Sequence, residues 1–361
     1  MKNTFGQSVS LTLFGESHGA QIGAVLDGLA PGIPVDEEFL RQQLTLRRPA
    51  GKISTARVEA DEFQIVSGLF QGRTTGTPLT ILIPNTNTKS KDYTPELPRP
   101  GHADFTAEQK YHGFQDYRGG GHFSGRITAA LVAAGAILLS ALRQKGILIG
   151  THMKRVAGVE DRDFDDFAAD LHFLSTAPFA VLNSAAGEQM HQAITRAASE
   201  GDSVGGVLET LVLGLPAGIG EPWFDTVEGL LSHALFGIPA VKGVEFGDGF
   251  AMAEHRGSEM NDAFRIREGG IVTQTNHNGG INGGITNGMP LIFRCAVKPT
   301  PSIFREQETV DMYQKEERKL SLQGRHDPAI VHRARVVVDS VTALVLCDLL
   351  AQRYGTDFLK P

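Results

Sequence analysis

From Ser8 to Phe14 the side chains alternate, with Val9, Leu11 and Leu13 on one side and Ser8, Ser10 and Thr12 on the other. That two-residue period predicts a strand with one buried face. A second strand-like run, Ala20 to Leu29, is ended by Pro31 and Pro34, so the two predict a hairpin whose tip, Gly15 to Gly19, carries Ser17 and His18. Val35 to Leu46 reads as a short amphipathic helix stopped by Pro49, after Arg47 and Arg48. Between Glu62 and Ile83 the runs FQIVSGLF and TPLTILI, separated by QGRTTG, predict a further antiparallel pair. Asn85 to Gly101 is polar and holds Pro95, Pro98 and Pro100, a composition suited to a mobile surface loop or lid. It leads into a helical stretch, ADFTAEQKY, with His102 and Asp104 at its start.

The pattern changes at Arg126, from which Ala, Leu, Ile and Val occupy every side as far as Lys145. Ser124 is a good N-cap and Gly146 a good stop. A helix apolar all round must be covered on all sides. Because Thr128, Gly135 and Ser140 interrupt it and it is short for a bilayer, burial in protein is the better reading. Just before it stand Arg118, Gly119, Gly120, Gly121 and His122, a glycine loop feeding the positive end of a helix, which suits an anion such as phosphate. The alternative is a glycine turn with solvated arginines. Downstream, ILIGTHMKRVAG predicts a strand, Val159 to Ala186 has no clear period, and helices are expected at Glu188 to Glu200, Thr226 to Phe236 and Ser340 to Leu350. Glu254 to Glu268 reads as polar and exposed, and LIFRCAVKPTPS as a strand. Val204 to Val207 echoes Ile22 to Val25, and GLPAGI echoes GLAPGI, which hints at two related halves.

Composition narrows the classes. The chain has 361 residues, 41% of them hydrophobic, enough for a substantial core in a single expected unit spanning 1–361. A formal net charge of −7 argues against nucleic-acid binding by bulk electrostatics. Cys295 and Cys347 lie far apart without CxxC spacing, and no HExxH or other ligand set appears, so no metal site is expected. Neither a signal peptide nor a membrane span is read, and a cytoplasmic protein is expected. The 42 glycines cluster beside small groups of anion binders and proton carriers: Ser17-His18, Arg99 to His102, His122 to Arg126, Lys298 to Thr300, Arg325 to Asp327. Cations outnumber carboxylates in these groups although the whole chain is acidic, so one concave site drawing on them would concentrate polyanions. GESHG satisfies the G-x-S-x-G nucleophile elbow, but Ser17 sits near the N-terminus between two strand-like runs, which argues against a serine hydrolase. A hairpin turn with a surface histidine is the plainer alternative there.

Taken together, GESHGAQIGAVLDGLAP, GHFSGRITAALVAAGAI and RHDPAIVHRARVVVDSV resemble the chorismate synthase family, as do RPGHAD, TTGTP, GDSVGG, PAGIGEP, AVKGVEFGDGF, NHNGGINGGI and KPTPS. The resemblance implies an α+β fold, a β-α-β layered sandwich with inner helices between two antiparallel sheets and an internal pseudo-twofold duplication. It implies an enzyme that converts 5-enolpyruvylshikimate 3-phosphate to chorismate by anti-1,4-elimination of phosphate, requiring reduced FMN without net redox change. By resemblance His18 is the general acid at the leaving phosphate with Ser17 beside it, His102 serves the reduced flavin, and Asp327 is the carboxylate by which the C6 proton departs. Arg47, Arg48, Arg126 and Arg325 would hold substrate, and His122, Phe123, Ser124, Gly283, Lys298, Pro299, Thr300, Pro301, Ser302 and Arg325 would contact FMN. Three positions depart from the family pattern: Phe123-Ser124-Gly125-Arg126 replaces Ser-Ser-Ala-Arg, Asp339 replaces Glu, and Lys52 replaces Arg. The resemblance further implies a homotetramer. No appended reductase-like domain is read, so reduced FMN is expected from an external reductant, and the resemblance carries an association with NADP. A non-catalytic flavin or phosphometabolite binder is the alternative.

Overall fold

A computed structural model describes residues 2–49, 51–55, 59–88, 94–322 and 327–361. Arg325 and the side chain of Lys52 lie outside the described residues. The first sheet contains β1 (Thr4–Phe5), β2 (Ser10–Gly15), β3 (Gln21–Asp27), β4 (Gln64–Ser67) and, after a small hairpin of β5 (Leu69–Phe70) and β6 (Arg73–Thr74), β7 (Leu79–Pro84). Its order is β1-β2-β3-β7-β4, antiparallel throughout. Alternation sets its inner face: Ile22, Ala24 and Leu26 on β3 lie with Leu79, Ile81 and Ile83 on β7, all buried. The expected hairpin is present, with Leu11 opposite Leu26 and Gly15 opposite Ile22.

The second sheet takes β8 (Leu148–Val156), β9 (Val159–Glu160), β10 (Gly206–Leu213), β11 (Val241–Phe246) and, after hairpins β12 (Phe264–Arg267) with β13 (Gly270–Thr273) and β14 (Ile281–Asn282) with β15 (Ile285–Thr286), β16 (Leu291–Val297). Its order is β11-β16-β10-β8-β9, again antiparallel. On β16, Leu291, Phe293, Cys295 and Val297 all face inward and are buried.

Helices α1 (Glu37–Arg47), α2 (Asp104–Tyr111), α3 (Thr128–Gln144), α4 (Phe167–Leu174), α5 (Ser184–Ser199), α6 (Val227–Leu235), α7 (Gly257–Met260) and α8 (Val331–Tyr354) complete the regular structure, with a hairpin of β17 (Gln307–Asp311) and β18 (Glu316–Leu320). The inner helices α3 and α8 pack on each other, and each touches both sheets. Their approach is close at Gly135, where an added Cβ would lie 2.3 Å from the Ser340 Cβ. The interruption of the apolar run is therefore a helix contact. Among the described residues, Gly125–Gln144 is the one helix of bilayer length and apolarity, and 83% of its apolar window is buried inside the protein. One hydrophobic core runs from Val9 to Leu359 through both sheets and the helices between them.

The duplication suggested by the sequence echo is visible in the topology. The chain runs β2, β3, α1, β4, β7, α3 in one half and β8, β10, α6, β11, β16, α8 in the other, with spatial orders β2-β3-β7-β4 and β8-β10-β16-β11. The turns repeat as well: Gly28 and Gly32 take φ +83° and +92°, and their counterparts Gly214 and Gly218 take +78° and +93°. These left-handed values need glycine, which explains why the echo survives in GLAPGI and GLPAGI.

Several boundaries differ from expectation. Helix α8 begins at Val331, well before Ser340, because the polar residues that blur its first turns are satisfied by distant groups. Arg335 donates to the Leu174 and Ala177 carbonyls, and the Asp339 carboxylate accepts from Thr151 Oγ1 at 2.6 Å. Helix α5 begins at Ser184 because Asn183 caps it, accepting from the Ala185 and Ala186 N–H groups. The expected lid is held over its described part: Pro98 O accepts from Thr309 Oγ1, and Glu96 O accepts from the Met312 N–H at 2.9 Å. Glu254 to Glu268 is exposed as expected, yet it contains α7 and begins the β12–β13 hairpin.

Candidate active site

A cavity of about 960 Å³ opens where the tip of the β2–β3 hairpin, the glycine loop before α3, the segment after β16 and the start of α8 converge. It brings together His18, His102, His122, Phe123, Ser124, Arg126, Arg47, Lys298, Thr300, Pro301, Ser302 and Asp327. Apolar residues line it too, Phe5, Leu11, Leu131, Ile238 and Leu344 among them, so the cavity joins cationic groups to a surface fit for a flat ring. Ser17, Arg48 and Pro299 adjoin lining residues without lining the cavity themselves. Gly283 stands apart, in the β14–β15 turn at φ +62°, with nothing within 4 Å of the place a Cβ would occupy.

The glycine loop does more than expose backbone N–H groups. Gly119, Gly120 and Gly121 take φ +63°, +80° and +53°, so the chain cannot be helical there. A Cβ on Gly119 would lie 2.6 Å from His18 Cδ2 and Nε2, and one on Gly120 would lie 3.1 Å from His102 Cε1. The loop backbone therefore roofs both imidazoles, and only residues without side chains fit. Ser17 N–H donates to Gly121 O at 3.0 Å and His122 Nδ1–H to Gly15 O at 2.8 Å, which ties the loop to the hairpin tip. Ser124 caps, as expected, through a bond from the Arg126 N–H, although a 3₁₀ turn over Gly125–Ile127 precedes α3. Arg118 departs from the expected anion site: its guanidinium donates twice to Asp116 at 2.8 Å.

Arg47, Arg48 and Arg126 gather around Asp61, a residue the sequence reading gave no role. Arg126 Nη1 donates to Asp61 Oδ1, its Nε to Asn85 Oδ1 at 2.9 Å and its Nη2 to Pro84 O at 3.2 Å. Arg47 reaches Asp61 at 3.4 Å and also donates to Thr128 Oγ1 and Gly125 O, both at 2.9 Å. Arg48 Nε stands 3.7 Å from the same carboxylate. Three guanidinium groups face one carboxylate whose side chain is 1% exposed, and of them Arg47 and Arg126 line the cavity, so the set carries a positive excess beside it. Asp61 takes φ +52°, a left-handed conformation that aspartate tolerates better than most residues.

Arg99 and His102, which line the same cavity, form a closed group with Asp104. Burial opposes ionisation of Asp104, but hydrogen bonds from Arg99 and His102 outweigh it and hold the carboxyl well below the usual range. Lys298 donates through Nζ to Gly101 O, and Thr300 Oγ1 is buried with no hydrogen-bond partner among the described residues. At the start of α8, Asp327 stands 2.7 Å from Arg333 Nη2, a cation that motif reading passed over. Behind it His332 Nε2 meets Ser54 Oγ at 2.7 Å, and burial pushes the imidazole down to about 4. Among the described residues no group of three or more His, Cys, Asp or Glu is placed to hold a metal ion.

The family model for chorismate synthase matches residues 9–351. The chain belongs to the chorismate synthase family. It is similar to the chorismate synthase of Pyrococcus abyssi, 48% identical over 350 residues that cover 96% of this chain and 97% of that one. It is similar also to that of Chitinophaga pinensis, 46% identical over 360 residues covering 99% of both. A solved structure described as "Crystal Structure of Chorismate Synthase" superposes with a TM-score of 0.76 at 28% identity, covering 97% of this chain and 94% of the other. Both sheets and the inner helices thus belong to the fold of the chorismate synthase family, as the sequence motifs imply.

Proposed function

We propose that this chain converts 5-enolpyruvylshikimate 3-phosphate to chorismate and phosphate by anti-1,4-elimination, with reduced FMN as cofactor. The observation that carries the proposal is the meeting of His18, His102 and Asp327 in one cavity with Arg47, Arg126 and Lys298. The residues present fit a flavin phosphate: apolar side chains, the Lys298 ammonium and the Thr300 hydroxyl, which has no partner among the described residues, line one cavity. Pro301, Ser302, Phe123, Ser124 and His122 line the same cavity. Bound there, reduced FMN supplies electron density that eases departure of an allylic phosphate.

The protein's own groups then have separable tasks. In the elimination the C3–O bond breaks with its electron pair going to phosphate, the C6–H bond breaks with its pair forming a C1–C6 double bond, and the existing C1–C2 double bond shifts to C2–C3. His18, under Gly119, supplies a proton to the leaving phosphate, and Ser17 supports it from behind. Asp327 takes the C6 proton, with Arg333 fixing its carboxylate. Arg47, Arg48 and Arg126 attract and orient the anionic substrate, a task suited to planar, bidentate guanidinium groups. Arg325 joins them by family resemblance. The same resemblance extends the proposal to a cytoplasmic homotetramer supplied with reduced flavin from outside.

The test is anaerobic turnover with dithionite-reduced FMN, following phosphate and chorismate. Phosphate release above a no-enzyme control is expected, and His18→Ala should lower it by about two orders of magnitude. FMN binding without any phosphate release would instead make the protein a non-catalytic flavin binder.

A further inference from the structure

Arg99 Nε and Nη2 donate to Asp104 Oδ2 and Oδ1, both at 2.8 Å, and the Arg99 backbone N–H donates to Oδ2 at 3.0 Å. His102 Nδ1 stands 2.7 Å from Asp104 Oδ1 and 3.0 Å from Arg99 Nη2. A ring nitrogen carries either a proton or a lone pair in one in-plane direction, so Nδ1 cannot serve a donor and an acceptor at once. The carboxylate contact is the shorter one, and Arg99 already directs its fork at Asp104. Without a proton on Nδ1, a lone pair would face an ionised carboxylate oxygen at 2.7 Å. The proton therefore lies on Nδ1 and is donated to Asp104.

We propose that Asp104, itself clamped by Arg99, fixes His102 as the Nδ1–H tautomer, so that Nε2 is the ring nitrogen that exchanges protons with a ligand in the cavity. Nε2 lies on the side roofed by Gly120, where a Cβ would come within 3.2 Å of it. Neutral His102 accepts a proton there, and the imidazolium returns it to the same side. Asp104 is a positioning residue in this scheme, and Arg99 positions Asp104. The partner chemistry is a group with an exchangeable N–H or O–H seated against Gly120. The activity arm of the test rests on the proposed reaction, whereas the tautomer itself does not.

Other titratable or charged groups lie near this ring and enter any titration of it: Lys298 beside Gly101, His18 beside the neighbouring Gly119, and Asp116, which with His102 lines the smaller cavity of about 330 Å³. The direct experiment is a long-range proton–nitrogen NMR correlation on the full chain with ring-¹⁵N histidine, without cofactor, assigned by His102→Gln. In the neutral state Nδ1 is expected to show the protonated-nitrogen shift and Nε2 the lone-pair shift. The reverse pattern overturns the proposal without any variant of Asp104. In Asp104→Asn the preference is expected to disappear, kcat to fall roughly 10²-fold with a displaced pH profile, and Asp104→Glu to restore part of both. An Asn variant with unchanged tautomer and pH profile also overturns it. If Asp104→Asn does not fold, the unmutated protein's spectrum decides alone. Absence of turnover in the unmutated protein would strike the proposed function and leave the tautomer assignment standing.

Discussion

The roof over His18 makes a sharp demand on Gly119. Alanine there meets two separate costs. At φ +63° an L-residue loses about 1–2 kcal/mol relative to glycine. The added Cβ would also lie 2.6 Å from His18 Cδ2 and Nε2, short of ordinary 3.4 Å contact by about 0.8 Å, and 2.9 Å from Ser17 Oγ. The loop is pinned by Ser17 N–H to Gly121 O and by His122 to Gly15 O, so the histidine ring is what yields. Displacing a proton donor by about 1 Å costs roughly 10²-fold in rate. Gly119→Ala is therefore expected to fold, to lose about 1–2 kcal/mol in urea unfolding, and to release phosphate roughly 10²-fold more slowly in single turnover. The deciding measurement is the double variant. In a His18→Ala background Gly119→Ala should add almost nothing, since the group it displaces is gone. A further hundredfold loss in that background, or normal turnover in the single variant, would refute the reasoning.

Other expectations follow from buried charge. Asp61→Asn leaves three guanidinium groups without their shared carboxylate and should cost about 3–5 kcal/mol, read from urea midpoints. His332 titrates near 4 when folded, because burial disfavours its charge, against 6.5 as its ordinary value. The unfolded chain therefore binds the extra proton, and stability should fall as pH drops from about 6.5 towards 4, by about 3 kcal/mol in all. Asp339, raised by burial to about 6, acts in the opposite sense, losing stability as pH rises from 3.8 through 6. The His332 contribution is accordingly the difference between unmutated protein and His332→Gln across that window, and identical pH curves would refute it. Burial pushes the Cys295 thiol up to about 12 and raises Cys347 as well, so neither should react with a thiol reagent until denaturant is added. Labelling at the rate of a free thiol in native buffer would contradict the packing of β16 and α8.

Local periods were enough to determine much of this protein. Alternation from Ser8 to Phe14 marked β2 and its buried face, and the all-round apolar run marked α3 as a central helix. The GLAPGI and GLPAGI turns share their glycines because both need left-handed backbone, so the sequence hinted at the duplication that the strand order displays. His18 at a hairpin tip, and His102 two residues from Asp104, were likewise visible in the chain. What the tertiary structure alone decided are relations between residues far apart in sequence. Asp61 collects Arg47, Arg48 and Arg126, Arg118 turns away to Asp116, and the glycines before α3 close over two histidines instead of standing open to an anion. The first turns of α8 looked unlike a buried helix because Arg335 and Asp339 find their partners on other elements. A period of two or 3.6 residues reports which face of an element is covered. It carries no information about which charge or ring lies opposite, because that depends on the register and packing of elements brought together only when the chain folds.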